Sequence, residues 1–96
     1  MHVEIPHTFS RPEAVARVSN ALEKSRAQVL EHAPDFAHEW QGEVLSFSAT
    51  LQGKPISGTL LVEDKQFVLD AKLPLMWRLF EGQLEQAIKQ QAAQLL

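Results

Sequence analysis

The sequence predicts a two-layer α+β fold of order β-α-β-β-β-β-α, a curved antiparallel sheet with both helices on one face. Three observations carry that reading. Residues 11–32 and 75–96 repeat apolar side chains at helical spacing. The stretch between them alternates apolar and polar residues, punctuated by turn dipeptides. One face of the resulting sheet is polar, so two amphipathic helices have to share the other. With 96 residues there is room for one core, and residues 1–96 read as a single domain.

The elements follow in order. Val3 and Ile5 alternate with polar neighbours, which predicts a short strand over 2–7 ending near Pro6. Ser10 and Glu13 form a capping box, and Pro12 falls in the first helical turn, where its missing N–H costs nothing. A helix should therefore begin near Arg11. Its buried stripe is Val15, Val18, Leu22 and Val29, widened by Ala14, Ala21 and Leu30, and Pro34 stops it.

Four strands should follow as a meander. Gln41-Gly42, Gly53-Lys54 and Asp64-Lys65 are the turn candidates, and as two-residue turns they fix the register. Trp40 then faces Glu43, Gln52 faces Pro55, and Glu63 faces Gln66. The inward face becomes Phe36, His38 and Trp40, then Leu45, Phe47, Ala49 and Leu51. Ile56, Gly58, Leu60 and Val62 continue it, followed by Phe67, Leu69, Ala71 and Leu73. The outward face carries Ser46, Ser48, Thr50, Ser57, Thr59, Asp70 and Lys72, with one apolar pair, Leu61 and Val68. Shifting one strand by a single residue would exchange the faces, so the shared apolar face supports all three turns. In this register Ala49, Gly58 and Ala71 form a row of small residues, which either lets a helix approach or leaves an apolar hollow.

The last helix is expected over 75–96, buried along Met76, Phe80, Leu84, Ile88, Ala92 and Leu95, with Gln83, Gln86, Gln90 and Gln94 toward solvent. Its beginning is overloaded. A single helical stripe cannot bury Leu75, Met76, Trp77, Leu79 and Phe80 together, so part of this set, Trp77 or Leu79 first, should stay partly exposed, either packed against the first helix or the N-terminal strand or presented as a contact patch. A long terminal helix against a curved sheet is also the outline of helix-grip folds, which often enclose apolar ligands; that analogy concerns fold alone.

Composition narrows the function. Nine Lys and Arg against twelve Asp and Glu give a net charge of −3, which argues against a nucleic-acid partner. The absence of cysteine removes disulfides, thiolate metal ligands and a thiol nucleophile. No export signal or membrane-length apolar run is visible, so the cytoplasm is the expected compartment. The four histidines have no metal-ligand spacing: His2 and His7 should point to opposite faces of a strand, and Pro34 separates His32 from His38. No metal or other cofactor is expected. The serines lie along an open sheet face rather than on a nucleophile elbow. No catalytic residue is assigned.

Several short motifs taken together are similar to one family. These are Ile5-Pro6-His7 with Pro12-Glu13-Ala14, Trp40-x-Gly42-x-x-Leu45-x-Phe47, Gly58-Thr59-Leu60, and a terminal helix that turns from apolar to polar. The chain resembles the polyhydroxyalkanoic acid system proteins, a small bacterial family, over nearly its whole length. The resemblance implies an association with polyester storage-granule genes and brings no catalytic residues. The leading expectation is a non-enzymatic accessory or binding protein. Its partner would be an apolar small molecule or a polyester granule surface, contacted through Met76, Trp77, Leu79, Phe80, Trp40, His38 and Gly58. The alternatives are a homodimeric interaction module, and an enzyme of unrecognised type using His38 with Glu39 or Glu43.

Overall fold

A computed structural model describes residues 1–95; the side chain of Leu95, expected in the terminal stripe, and all of Leu96 lie outside the described residues. The elements are β1 (His2–Pro6), α1 (Arg11–His32), β2 (Ala37–Gln41), β3 (Val44–Leu51), β4 (Lys54–Val62), β5 (Gln66–Lys72), a 3₁₀ turn (Leu75–Phe80) and α2 (Glu81–Leu95). The order is the predicted β-α-β-β-β-β-α, with the strands in one antiparallel sheet ordered β1-β5-β4-β3-β2.

The first helix forms as its sequence signals require. Ser10 accepts a hydrogen bond from the Glu13 N–H, and Pro12 occupies the first turn. Ala14 and Val18 are buried against Leu45, Val62 and Phe67, with Leu22 and Trp40 at the margin. Arg11 ties the helix start to two turns, reaching Glu43 at 2.8 Å and Asp64 at 2.7 Å. At the other end Asp35 accepts from both the backbone N–H and the hydroxyl of Thr50, which fastens the α1–β2 connection to the end of β3. Those two bonds favour the ionised carboxylate and hold Asp35 below the usual range.

Two of the three turns lie one residue away from their predicted places. In the first hairpin Gln41 pairs with Val44, leaving Gly42 and Glu43 as the turn. Gly42 has φ +61°. A glycine in the first central position is what a type II′ turn requires, whereas the predicted placement put it second. In the second hairpin Leu51 pairs with Lys54 around Gln52 and Gly53, both with positive φ, as in a type I′ turn. The predicted alternative would have placed Pro55 where the closing N–H must come from, and proline has none. The third turn is as expected, with the Glu63 N–H donating to the Gln66 carbonyl at 2.9 Å.

Moving a turn by one residue moves the pairing by two, so every side chain keeps its face. The rows across the sheet do change. Trp40, Leu45, Leu60, Leu69 and Val3 face one another in sequence across all five strands. The predicted row of small residues does not form, because Ala49 faces Ile56, and Gly58 sits between Phe47 and Ala71. Phe47 leans across Gly58, so this glycine is covered by a cross-strand ring rather than by a helix.

The last helix also departs from expectation. Residues 75–80 wind as a 3₁₀ turn, opened by the Trp77 N–H donating to the Pro74 carbonyl, and the α-helix begins only at Glu81. With three residues per turn, the five large apolar side chains spread around the axis instead of forming a stripe. Met76 and Phe80 are consequently exposed, and only Leu84, Ile88 and Ala92 of the described stripe are half-buried. The buried core joins α1 to β3, β4 and β5, and α2 makes little direct backbone contact with the sheet.

Candidate functional site

Two apolar features stand out, one recessed and one exposed. The recessed feature is a groove of about 460 Å³ between the sheet and the two helices. Leu45, Phe47, Leu60 and Leu69 supply its floor, Val18 and Leu22 of α1 one wall, and Leu84 and Ile88 of α2 the other. Among the described residues, Ser25 and Gln91 are its only polar lining residues, and no charged side chain lines it. The sequence left open whether the last helix packs closely on the sheet or leaves a hollow beneath it. Its expected cause, a row of small residues, is absent; the space exists because α2 stands away from the sheet.

The exposed feature is the 3₁₀ turn. Leu75 is 77% exposed, Met76 65%, Leu79 85% and Phe80 55%, while Trp77 is half-buried. No residue of the turn is buried. Of the two residues expected first in the apolar surplus, Leu79 is fully in it and Trp77 only partly, while Leu75, Met76 and Phe80 join it.

The other predicted residues are elsewhere. Trp40 packs at the margin of the core. His38 is exposed, its ring tilted against Phe36 with centroids 5.6 Å apart, at the rim of a cleft between α1 and β2. It keeps the inward face expected of it, beside Trp40, but is not packed there, on the edge strand of the sheet. Glu39 lies on the opposite face, paired with Ser46, and Glu43 bonds to Arg11. The structure thus does not gather His38, Glu39 and Glu43 into one constellation. Gly58 does not line the groove; it lies beneath the Phe47 ring.

Sequence reasoning missed one polar cluster because it could not place β1. With β1 beside β5, His2 faces Asp70, and the row continues through Thr59 to Ser46 on the outer face. His2 Nδ1 is 2.6 Å from Asp70 and Nε2 is 3.7 Å from Glu4. Both ring nitrogens point at carboxylates and Asp70 separates the ring from the hydroxyls, so the row lacks the His-to-hydroxyl contact that activates a nucleophile. The hydrogen bond to Asp70, followed by its charge, raises the His2 pKa above 6.5. This pair stabilises the fold fully below pH 6.5, and its contribution fades as pH rises through the raised midpoint. An NMR titration should give His2 a midpoint above that of the unfolded chain, falling back toward it in Asp70→Asn. An unchanged midpoint in the variant would refute the assignment to Asp70.

His7 is a structural histidine. Its Nδ1 accepts from the Phe9 N–H at 3.1 Å, which leaves Nε2–H to donate to the Glu63 carbonyl at 2.8 Å. The ring also lies 4.6 Å from that of Phe67. Among the described residues no group of three His, Asp or Glu side chains could hold a metal ion. No helix among them is long and apolar enough to cross a membrane.

A family model described as "Putative polyhydroxyalkanoic acid system protein" matches residues 1–96. No curated protein and no solved structure matches the chain.

Proposed function

Since the chain belongs to the polyhydroxyalkanoic acid system protein family, we propose that it is a non-enzymatic accessory protein that attaches to polyester storage granules in the cytoplasm. The observation that carries this reading is the 3₁₀ turn, where Leu75, Met76, Leu79 and Phe80 stand in solvent within six residues. Apolar side chains clustered in this way mark an interaction surface rather than ordinary surface scatter. Full burial of such a side chain contributes roughly 1.5–3 kcal/mol. Four of them entering an apolar phase part-way give an attachment comparable to a single lipid chain, which binds reversibly. Arg78 lies within the turn and has a long side chain that can keep its charge in water while its stem contacts the surface.

The test is co-sedimentation with purified polyester granules. Leu75→Ser with Leu79→Ser should lower the bound fraction at least tenfold without changing thermal stability, since both side chains are exposed. His38→Ala should bind as the parent does. Retention of the double variant on granules would refute the reading. So would a concentration-dependent dimer that the same double variant abolishes, because the turn would then be a self-association surface.

A further inference from the structure

We propose that the groove between the sheet and the two helices binds one unbranched acyl chain, with its polar head left in water. This inference is separate from granule attachment, because the groove and the 3₁₀ turn share no residue.

The lining selects the chemistry. At about 460 Å³ the space falls within the range of small-molecule sites, roughly 300–1,000 Å³. None of its described lining residues is charged, so an ionised group among them would be desolvated without compensation. The ligand segment within the groove is therefore uncharged and apolar, and any charged head has to remain at the open side. Its shape is set by the helices. Along α2 the lining runs from Leu84 to Ala92, which is about 12 Å at 1.5 Å per residue. A staggered chain of roughly ten carbons has that length, at about 1.25 Å of advance per bond.

The geometry favours a thin chain over a second copy of the protein. The floor is formed by sheet residues that lie between side chains of α1 on one side and of α2 on the other. A flexible chain can thread between the helices. The walls also permit entry: Ala21, Ala87 and Ala92 supply small side chains, and α2 is tethered through a 3₁₀ turn rather than by close packing on the sheet. Half-buried Leu22, Leu60, Leu69, Leu84 and Ile88 would complete their burial against the ligand.

The experiment is methyl NMR of the full chain titrated with hexanoate, octanoate, decanoate and hexadecanoate below their aggregation limits. Saturable shifts are expected at Leu22, Leu60, Leu69, Leu84 and Ile88, with Leu75 and Leu79 unmoved. Affinity should rise about fourfold per added methylene and level off near ten carbons. Ala87→Leu narrows the groove at a helical position where leucine is well tolerated. It should weaken decanoate binding at least tenfold while thermal stability is kept or raised, and Ala21→Leu should do the same from the opposite wall. Shifts centred on Leu75 and Leu79, non-saturating shifts, or unchanged binding in both filled variants would overturn the proposal. It would equally be overturned by groove shifts that follow protein concentration instead of decanoate, since a second copy would then be the occupant.

Discussion

Phe67→Ala is expected to remove about 3–5 kcal/mol of stability, a large part of the total for a domain of this size. Phe67 is 2% exposed and is the largest of the fully buried side chains. It faces Val62 on one strand and Ile5 on the other, and its ring meets His7. Four elements therefore converge on one side chain: β1, β4, the segment after β1, and α1 through the shared core with Ala14 and Val18. Truncation leaves a cavity that rigid strands on both sides cannot close, so the cavity penalty adds to the lost transfer energy. Urea denaturation should show a lower midpoint with an unchanged slope. Phe80→Ala supplies the internal comparison: the same change at a side chain 55% exposed should stay within about 0.5 kcal/mol. A Phe67→Ala cost below about 1.5 kcal/mol would show that β1 and α1 are not held through this ring.

The contrast between those two phenylalanines also shows what the sequence could reveal. Phe67 sits in an alternating run whose partners obey a period of two, so its burial follows from face alone. The same parity explains why two displaced turns left the sheet intact: a shift of one residue at the turn preserves which residues look inward. What parity cannot give is the row. Whether Ala49 or Phe47 stands beside Gly58 depends on where the β3–β4 turn closes, and Pro55 together with the positive φ of Gln52 and Gly53 decided that. Nor could alternation place β1, since Val3 and Ile5 fit either edge of the sheet; the His2–Asp70 pair was invisible for that reason. In the terminal segment, apolar content was legible but geometry was not. Five large residues in six are incompatible with an α-helical stripe, and the 3₁₀ winding is how the chain accommodates them. The groove depends on where α2 is held, and the start of that helix is tied to Met1, whose ammonium lies 3.1 Å from Glu81, a contact that no periodic pattern announces.

The second large effect is expected at Gly58. Replacing a strand glycine by alanine normally gains about 0.5–1 kcal/mol, because glycine loses the most backbone freedom on folding. Gly58→Ala should do the reverse and cost about 3 kcal/mol, the upper end for overpacking. A β-carbon at this position would overlap the Asp70 carbonyl oxygen, approach the Ala71 Cα at 2.9 Å and meet the end of the Phe47 ring at 2.8 Å. The ring can swing away, but the first two are backbone atoms of the neighbouring strand. Relief then requires β4 and β5 to separate where Gly58 pairs with Ala71, in the middle of the sheet. The displaced Phe47 ring would also move into the groove whose floor it forms, so the variant should bind decanoate more weakly than its lost stability alone accounts for. Gly82→Ala is the matching control. Nothing stands within 4 Å of its added methyl, and it lies in α2, where alanine is favoured by nearly 1 kcal/mol. Thermal and urea unfolding of the two variants should therefore move in opposite directions. If both were stabilising, the close approach of β4 and β5 at Gly58 would be refuted, and with it the reason a glycine stands in the centre of this sheet.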